Sequence, residues 1–181
     1  KLMKVVNNMF RQSPAFMATQ LFFNPVNTEQ RNYWHRDMQY HLNEAEQQEA
    51  LMGPDVIHFR IPLFDEPGIE VIPETHKKWD SEQELNVRLE KKGHQCFEDL
   101  ASGRRIALGI GDLLVFSANM IHRGLYGKER LALDLIFCDP EPHLLKYINA
   151  DGLPSEKALL SVEQASAFET TLLQKRKAKK V

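Results

Sequence analysis

The segment Asp55–Phe64, DVIHFRIPLF, constrains this chain most. Ile57, Phe59, Ile61 and Leu63 fall on one face of an extended chain, and Val56, His58 and Arg60 on the other. That period of two is the signature of a strand with one buried face. Arg130–Cys138 (RLALDLIFC) repeats it, with Leu131, Leu133 and Leu135 opposite Arg130, Ala132 and Asp134. Shorter strand-like runs are Thr19–Phe23, stopped by Asn24-Pro25; Gly68–Ile72, after Asp65-Glu66-Pro67; Arg104–Leu108; and Leu113–Ser117, after the turn residues Gly109-Ile110-Gly111-Asp112. Many short strands punctuated by Gly, Pro and Asp predict a mainly β fold with flanking helices, a sandwich or barrel of antiparallel strands. Helices are expected at the margins. Asn43–Met52 ends before Gly53-Pro54, and Ser81–Lys92 opens with Ser81 and Glu84 at capping-box spacing. A third is expected over about 155–180, with Ala158, Leu159, Val162, Ala165, Phe168, Leu172 and Leu173 at helical spacing.

The chain's 181 residues predict one domain, 1–181, with its β core over about 19–138. No apolar run approaches the roughly 20 residues of a membrane-crossing helix, which excludes insertion by that route. Cys96 and Cys138 lack CxxC partners and cannot build a disulfide framework, so a cytoplasmic location is expected. Net charge is −2, but Lys175, Arg176, Lys177, Lys179 and Lys180 crowd the end. Without them 18 basic residues face 25 acidic ones, which argues against a nucleic-acid partner. The basic end reads as a solvated helix terminus. The chain opens on Lys1 rather than Met, compatible with a fragment lacking an N-terminal segment. Oligomeric state is not encoded in these features.

Chemistry concentrates in Trp34-His35-Arg36-Asp37. Residues two apart share a strand face, so the His35 imidazole and the Asp37 carboxylate can reach one point. His122, just past the apolar run Leu113–Ser117, is a third candidate. Two His and one carboxylate on one side of a metal leave the opposite positions open, as in non-haem Fe(II) oxygenases. Arg130, eight residues on, can grip a carboxylate with two parallel N–H donors. H-x-D alone occurs by chance in many proteins; the second His and the Arg sharpen it.

Three pieces in order, YWHRD at 33–37, GIEVIPETHK at 68–77 and GDLLVFSANMIHRG…ERLALDLIF at 111–137, resemble the phytanoyl-CoA dioxygenase-like family. The resemblance spans about Thr19 to Cys138. It implies a double-stranded β-helix, the jelly-roll, cupin-like barrel, with Fe(II) held by His35, Asp37 and His122. It also implies 2-oxoglutarate and O2 as cosubstrates, with Arg130 on the far carboxylate of 2-oxoglutarate. Oxidative decarboxylation to succinate would then be coupled to hydroxylation of an aliphatic C–H. Related halogenases lack the carboxylate at the position of Asp37, so its presence points to hydroxylation or another oxidation. Glu74 and Thr75 replace the usual Gly-Ser, and Gly124 stands where many members carry a hydroxyl.

Other residues have a functional and a bland reading. Tyr33 shares the face of His35 and Asp37, as pocket lining or an interior aromatic. His58 and Arg60 point into the barrel near substrate, or to solvent. Asn119 is a cosubstrate contact or a turn residue. The competing function is a cupin-like metal- or small-molecule-binding protein, which would not need Arg130. The substrate is left open between small molecules and carrier-bound groups. No poly-basic pocket for CoA phosphates is evident, so the family's name does not give it.

Overall fold

The computed structural model describes residues 1–127 and 129–178. Two antiparallel sheets carry the fold. The larger has the order β1-β7-β2-β5, from Ala15–Phe23 (β1), Leu131–Cys138 (β7), Val56–Pro62 (β2) and Leu114–Ser117 (β5). The smaller is β4-β3-β6, from Arg104–Leu108 (β4), Glu66–Val71 (β3) and His122–Gly124 (β6). Helices flank them: Leu2–Met9 (α1), Glu44–Ala50 (α2), Glu82–Arg88 (α3), Pro142–Leu145 (α4), Glu156–Leu159 (α5) and Ser166–Ala178 (α6). Among the described residues no helix is long and apolar enough to cross a membrane.

The period-two face of β2 buries in its first half; Ile61 is half-buried and Leu63, past the strand's end, is 41% exposed. Ile57 and Phe59 are buried with Phe16 and Phe137 against Val6 of α1 and Ala167 of α6. His58 and Arg60 therefore turn the other way, into the space between the sheets. Phe116 of β5 packs on Ile69 and Val71 of β3, where the two sheets meet.

Two expectations need correction. The first strand begins at Ala15, not Thr19. A register shift against β7 between Phe16 and Ala18 makes Met17 an extra residue. This bulge lets Phe16 join the outer core while Ala18, Gln20 and Phe22 line the inner cavity, so the alternation there is broken in sequence. The C-terminal helix is not continuous: α5 stops at Leu159 and α6 starts at Ser166. The Ser161 hydroxyl donates to the Ala158 carbonyl at 2.8 Å, competing with the helical bond. Of the expected apolar stripe, Val162 is 37% and Leu173 54% exposed, while Phe168 packs on Phe16 with ring centroids 4.6 Å apart. Beside it dock Ala167 and Thr171, the Thr171 hydroxyl donating to the Phe16 carbonyl of β1 at 2.8 Å. Residues 179–181 of the basic end lie outside the described residues. The capping expectation at Ser81 holds, its side chain accepting from the backbone N–H of Glu84; Asn43 accepts from that of Glu46 in the same way.

Candidate metal centre

His35 and His122 are brought together by backbone. They pair as an isolated antiparallel bridge, His35 N–H to His122 O at 2.9 Å and the reverse at 3.0 Å. His122 opens β6; His35 lies outside any longer strand. Asp37 begins a 3-10 turn to Tyr40. One ligand atom from each of His35, Asp37 and His122 lies within 4.8 Å of the others. His35 Nε2 is 3.5 Å, and His122 Nε2 3.6 Å, from the same oxygen, Asp37 Oδ1.

The alternation across 34–37 explains how these side chains are aimed. Trp34 and Arg36, both fully buried, face away from the centre. Trp34 packs among Ile72, Val87, Leu100 and Ile121, and its indole N–H donates to the Glu98 carbonyl at 2.9 Å. Arg36 grips Asp80 Oδ1 at 2.7 and 3.0 Å and donates to the carbonyls of Thr75, Lys78 and Asn119. With two buried anchors on one face, His35 and Asp37 are held on the other. Thr75 ties in the third ligand: its hydroxyl donates to the Ile72 carbonyl at 2.6 Å and accepts from the backbone N–H of Ile121 at 3.0 Å. Glu74 before it has φ 67, the left-handed conformation for which the expected Gly would be suited.

Each candidate His ligand is fixed in one tautomer by its own backbone. His35 Nδ1 meets the Tyr33 carbonyl at 3.1 Å, and His122 Nδ1 the Met120 carbonyl at 2.9 Å. A carbonyl only accepts, so Nδ1 carries the hydrogen and the Nε2 lone pairs point at the centre. Burial pushes both imidazoles toward the neutral form, His122 down to about 3. Burial alone would raise Asp37, but a hydrogen bond from His58 and the nearby His122, His58 and His35 hold it below the usual carboxylate range. Two neutral imidazoles and one carboxylate fit a divalent cation, and an N,N,O set with open positions fits Fe(II).

A cavity of about 550 Å³ runs over this centre. Tyr33, His35, Asp37, His58, Arg60, Asn119, His122 and Arg130 all line it. Tyr33 lies with its ring 5.1 Å from that of His35. Asn119 is buried, with its amide Nδ2 3.4 Å from the Ala50 carbonyl. His58 and Arg60 point inward, but their donors are taken up by carboxylates. Arg60 Nε and Nη2 reach the two oxygens of Asp134 at 2.7 and 3.0 Å. His58 Nδ1 reaches Asp134 Oδ2 at 3.0 Å and its Nε2 reaches Asp37 Oδ2 at 2.8 Å. Burial would lower His58, yet these carboxylates raise it to about 9.

Arg130 is 6% exposed, with its guanidinium between Phe22 and Tyr126. The carboxylate within ion-pair distance of it among the described residues is buried Glu66, at 3.4 Å, and its Nε lacks a hydrogen-bond partner there. A Cβ on Gly124 would stand 2.7 Å from Arg130 Nη2, so the missing side chain at 124 makes room for the guanidinium. Arg36, Asp134 and Thr75 were not anticipated as parts of the site. Inward alternation on Arg130–Cys138 was the available signal for Asp134; Arg36 carried none, because its partners are distant in sequence.

No protein-family model matches the chain, and no curated protein matches it. Solved structures do. AviO1 from Streptomyces viridochromogenes Tue57 superposes with a TM-score of 0.52 at 20% identity, over 77% of this chain and 57% of that one. The non-heme monooxygenase ThoJ, as its nickel complex, gives 0.51 at 16% identity, over 77% of this chain and 50% of that one. ThoJ in its apo form gives 0.52 at 16% identity, over 77% and 52%. The likeness is one of fold, and the chain spans between 50% and 57% of the length of these proteins.

Proposed function

We propose that this chain is an Fe(II)- and 2-oxoglutarate-dependent dioxygenase of the phytanoyl-CoA dioxygenase-like kind, built on a double-stranded β-helix. In this reading it hydroxylates an aliphatic C–H of a small-molecule or carrier-bound substrate. The observation that carries the reading is a single cavity lined by both the His35–Asp37–His122 cluster and Arg130. A cupin-like binding protein has no need of the second feature.

His35, Asp37 and His122 are the residues that would hold Fe(II). With 2-oxoglutarate bound, that ion supplies oxidation of R–H by O2, giving R–OH, succinate and CO2. Every other contribution is the chain's own. Nδ1–H bonds to the Tyr33 and Met120 carbonyls keep the ligating nitrogens aimed. Arg130 is the cation for the far carboxylate, because Arg60 is already committed to Asp134. Such a carboxylate is costly to bury without a cation, and a guanidinium offers a matching fork. Phe22 and Tyr126 flank that guanidinium and exclude water. Met17, Val56, Ile136 and Leu144 give the cavity an apolar side suited to an aliphatic substrate.

The test is anaerobic titration of Fe(II) and then 2-oxoglutarate, followed by the metal-to-ligand charge-transfer absorbance. A saturable band is expected, with succinate formed on admitting O2. Asp37→Ala should weaken Fe(II) binding and stop succinate formation, since it removes the only anionic ligand. No band in the parent, or undiminished succinate from Asp37→Ala, would refute the reading.

A further inference from the structure

The buried chain Arg60–Asp134–His58–Asp37 asks for an account. Arg60 is 3% exposed, His58 4% and Asp134 0%. A barrel interior without a task for them would be cheaper filled with apolar side chains. The two oxygens of Asp37 have different partners. Oδ1 faces both His35 Nε2 and His122 Nε2, at 3.5 and 3.6 Å. Oδ2 faces His58 Nε2 at 2.8 Å. His58 in turn meets Asp134 through Nδ1 at 3.0 Å, and Arg60 spans both oxygens of Asp134. An ionised carboxylate only accepts, so His58 Nε2 donates to Asp37 Oδ2, while Asp134 is bridged by Arg60 and His58.

We propose that His58 is a positioning residue that takes up Asp37 Oδ2, braced by Asp134 and Arg60, so that only Oδ1 is presented to the metal. The proposal rests on the metal-centre part of the reading above. Its consequence is a count of coordination sites. With two imidazoles and one carboxylate oxygen bound, a six-coordinate ion keeps three positions, two for a chelating keto acid and one for O2. A carboxylate free to swing onto the metal through both oxygens would take one of them. The brace comes from β2 and β7, the two central strands of the larger sheet, so His58, Asp134 and Arg60 are hydrogen-bonded in place independently of the metal.

Two variants separate this role from packing. Gln keeps a donor where His58 Nε2 lies; Leu keeps bulk without a donor. In Co(II) titrations followed by d–d absorbance, His58→Leu should bind ten- to a hundredfold more weakly than the parent, the usual cost of losing such a support. His58→Gln should recover most of that loss, with a band shape closer to the parent's. Equal weakening by both variants, or parent-like Co(II) affinity in His58→Leu, would overturn the proposal. A parent that binds no Co(II) would instead overturn the metal centre itself. Should His58→Leu fail to fold, the Zn(II)-loaded parent with ¹⁵N-labelled histidine decides. A protonated Nε2 on His58 is expected, its signal identified by its absence in His58→Gln; an unprotonated Nε2 would refute the proposal.

Discussion

Replacing Arg130 by Ala removes the cation proposed for 2-oxoglutarate while leaving the proposed metal ligands in place. Truncating one partner of a buried charge pair costs on the order of 2–5 kcal/mol. The structure selects the lower part of that range. Glu66 lies 3.4 Å from Arg130 Nε and already takes up part of its charge, so the ligand gains less than from a free guanidinium. Burial also raises Glu66 above the usual carboxylate value, so in the variant it can take a proton rather than repel the ligand. About 2–3 kcal/mol remains, or roughly 30- to 140-fold in 2-oxoglutarate affinity. The assay is the anaerobic charge-transfer titration at saturating Fe(II). Fe(II) affinity should change little, and Arg130→Lys should restore only part, because an ammonium keeps the charge but not the fork. A variant that binds 2-oxoglutarate within threefold of the parent would remove Arg130 from the cosubstrate site.

Other perturbations test neighbouring parts. Gly124→Ser puts a Cβ 2.7 Å from Arg130 Nη2, so the guanidinium must shift; 2-oxoglutarate affinity should fall while Co(II) affinity stays, read in the same titrations. Arg36→Met strands the buried Asp80 carboxylate, which Arg88 alone then pairs. A loss of about 3–5 kcal/mol is expected, or roughly 6–20 °C in Tm by calorimetry, with weaker metal binding because His35 and Asp37 lose their opposite anchor. Glu66 is raised by burial, against the pull of Arg130. A carboxylate raised in the folded state favours folding most below its ordinary value of 4.5 and loses that contribution as pH rises through its folded value. Glu66→Gln should therefore flatten the fall in Tm of the metal-free protein as pH rises above 4.5; an unchanged slope would assign the effect elsewhere.

Strands with unbroken alternation were legible in the sequence. In Asp55–Phe64 Ile57 and Phe59 of the apolar set enter the outer core and His58 and Arg60 line the cavity, but the pattern runs past the strand's end, where Leu63 is exposed. Where alternation is broken, legibility fails. The Met17 bulge hid the first four residues of β1, and β6 has only three residues, too few for any period. The C-terminal stripe misled in part because apolar spacing does not say which positions find a partner; Phe168 docks together with Ala167 and Thr171, while Val162 and Leu173 are exposed. At the site, spacing alone put His35 and Asp37 on one face, and His122 joins them through a backbone bridge that no local pattern encodes. His58 and Arg60 were readable as inward-facing, but not their commitment to Asp134, 74 and more positions away.

Two buried charge clusters flank the centre, and they differ in a way that separates scaffold from machinery. Arg36, Asp80 and Arg88 lie behind the His35–Asp37 segment, with Arg88 also donating to Gln39 and Gln47. They tie the 36–40 segment to α2 and α3 and do not line the cavity. Replacing such a cluster wholesale by well-packed apolar residues can leave stability unchanged, so equivalent packing behind the His35–Asp37 segment can hold it without the charges. Arg60, Asp134 and His58 end on an oxygen of Asp37 itself, and His58 and Arg60 line the cavity. Apolar replacement there would also uncover Asp37 Oδ2 toward the metal. The first cluster should therefore tolerate a compensated apolar swap with metal affinity intact. The second should lose metal affinity even when the swap restores the parent's Tm.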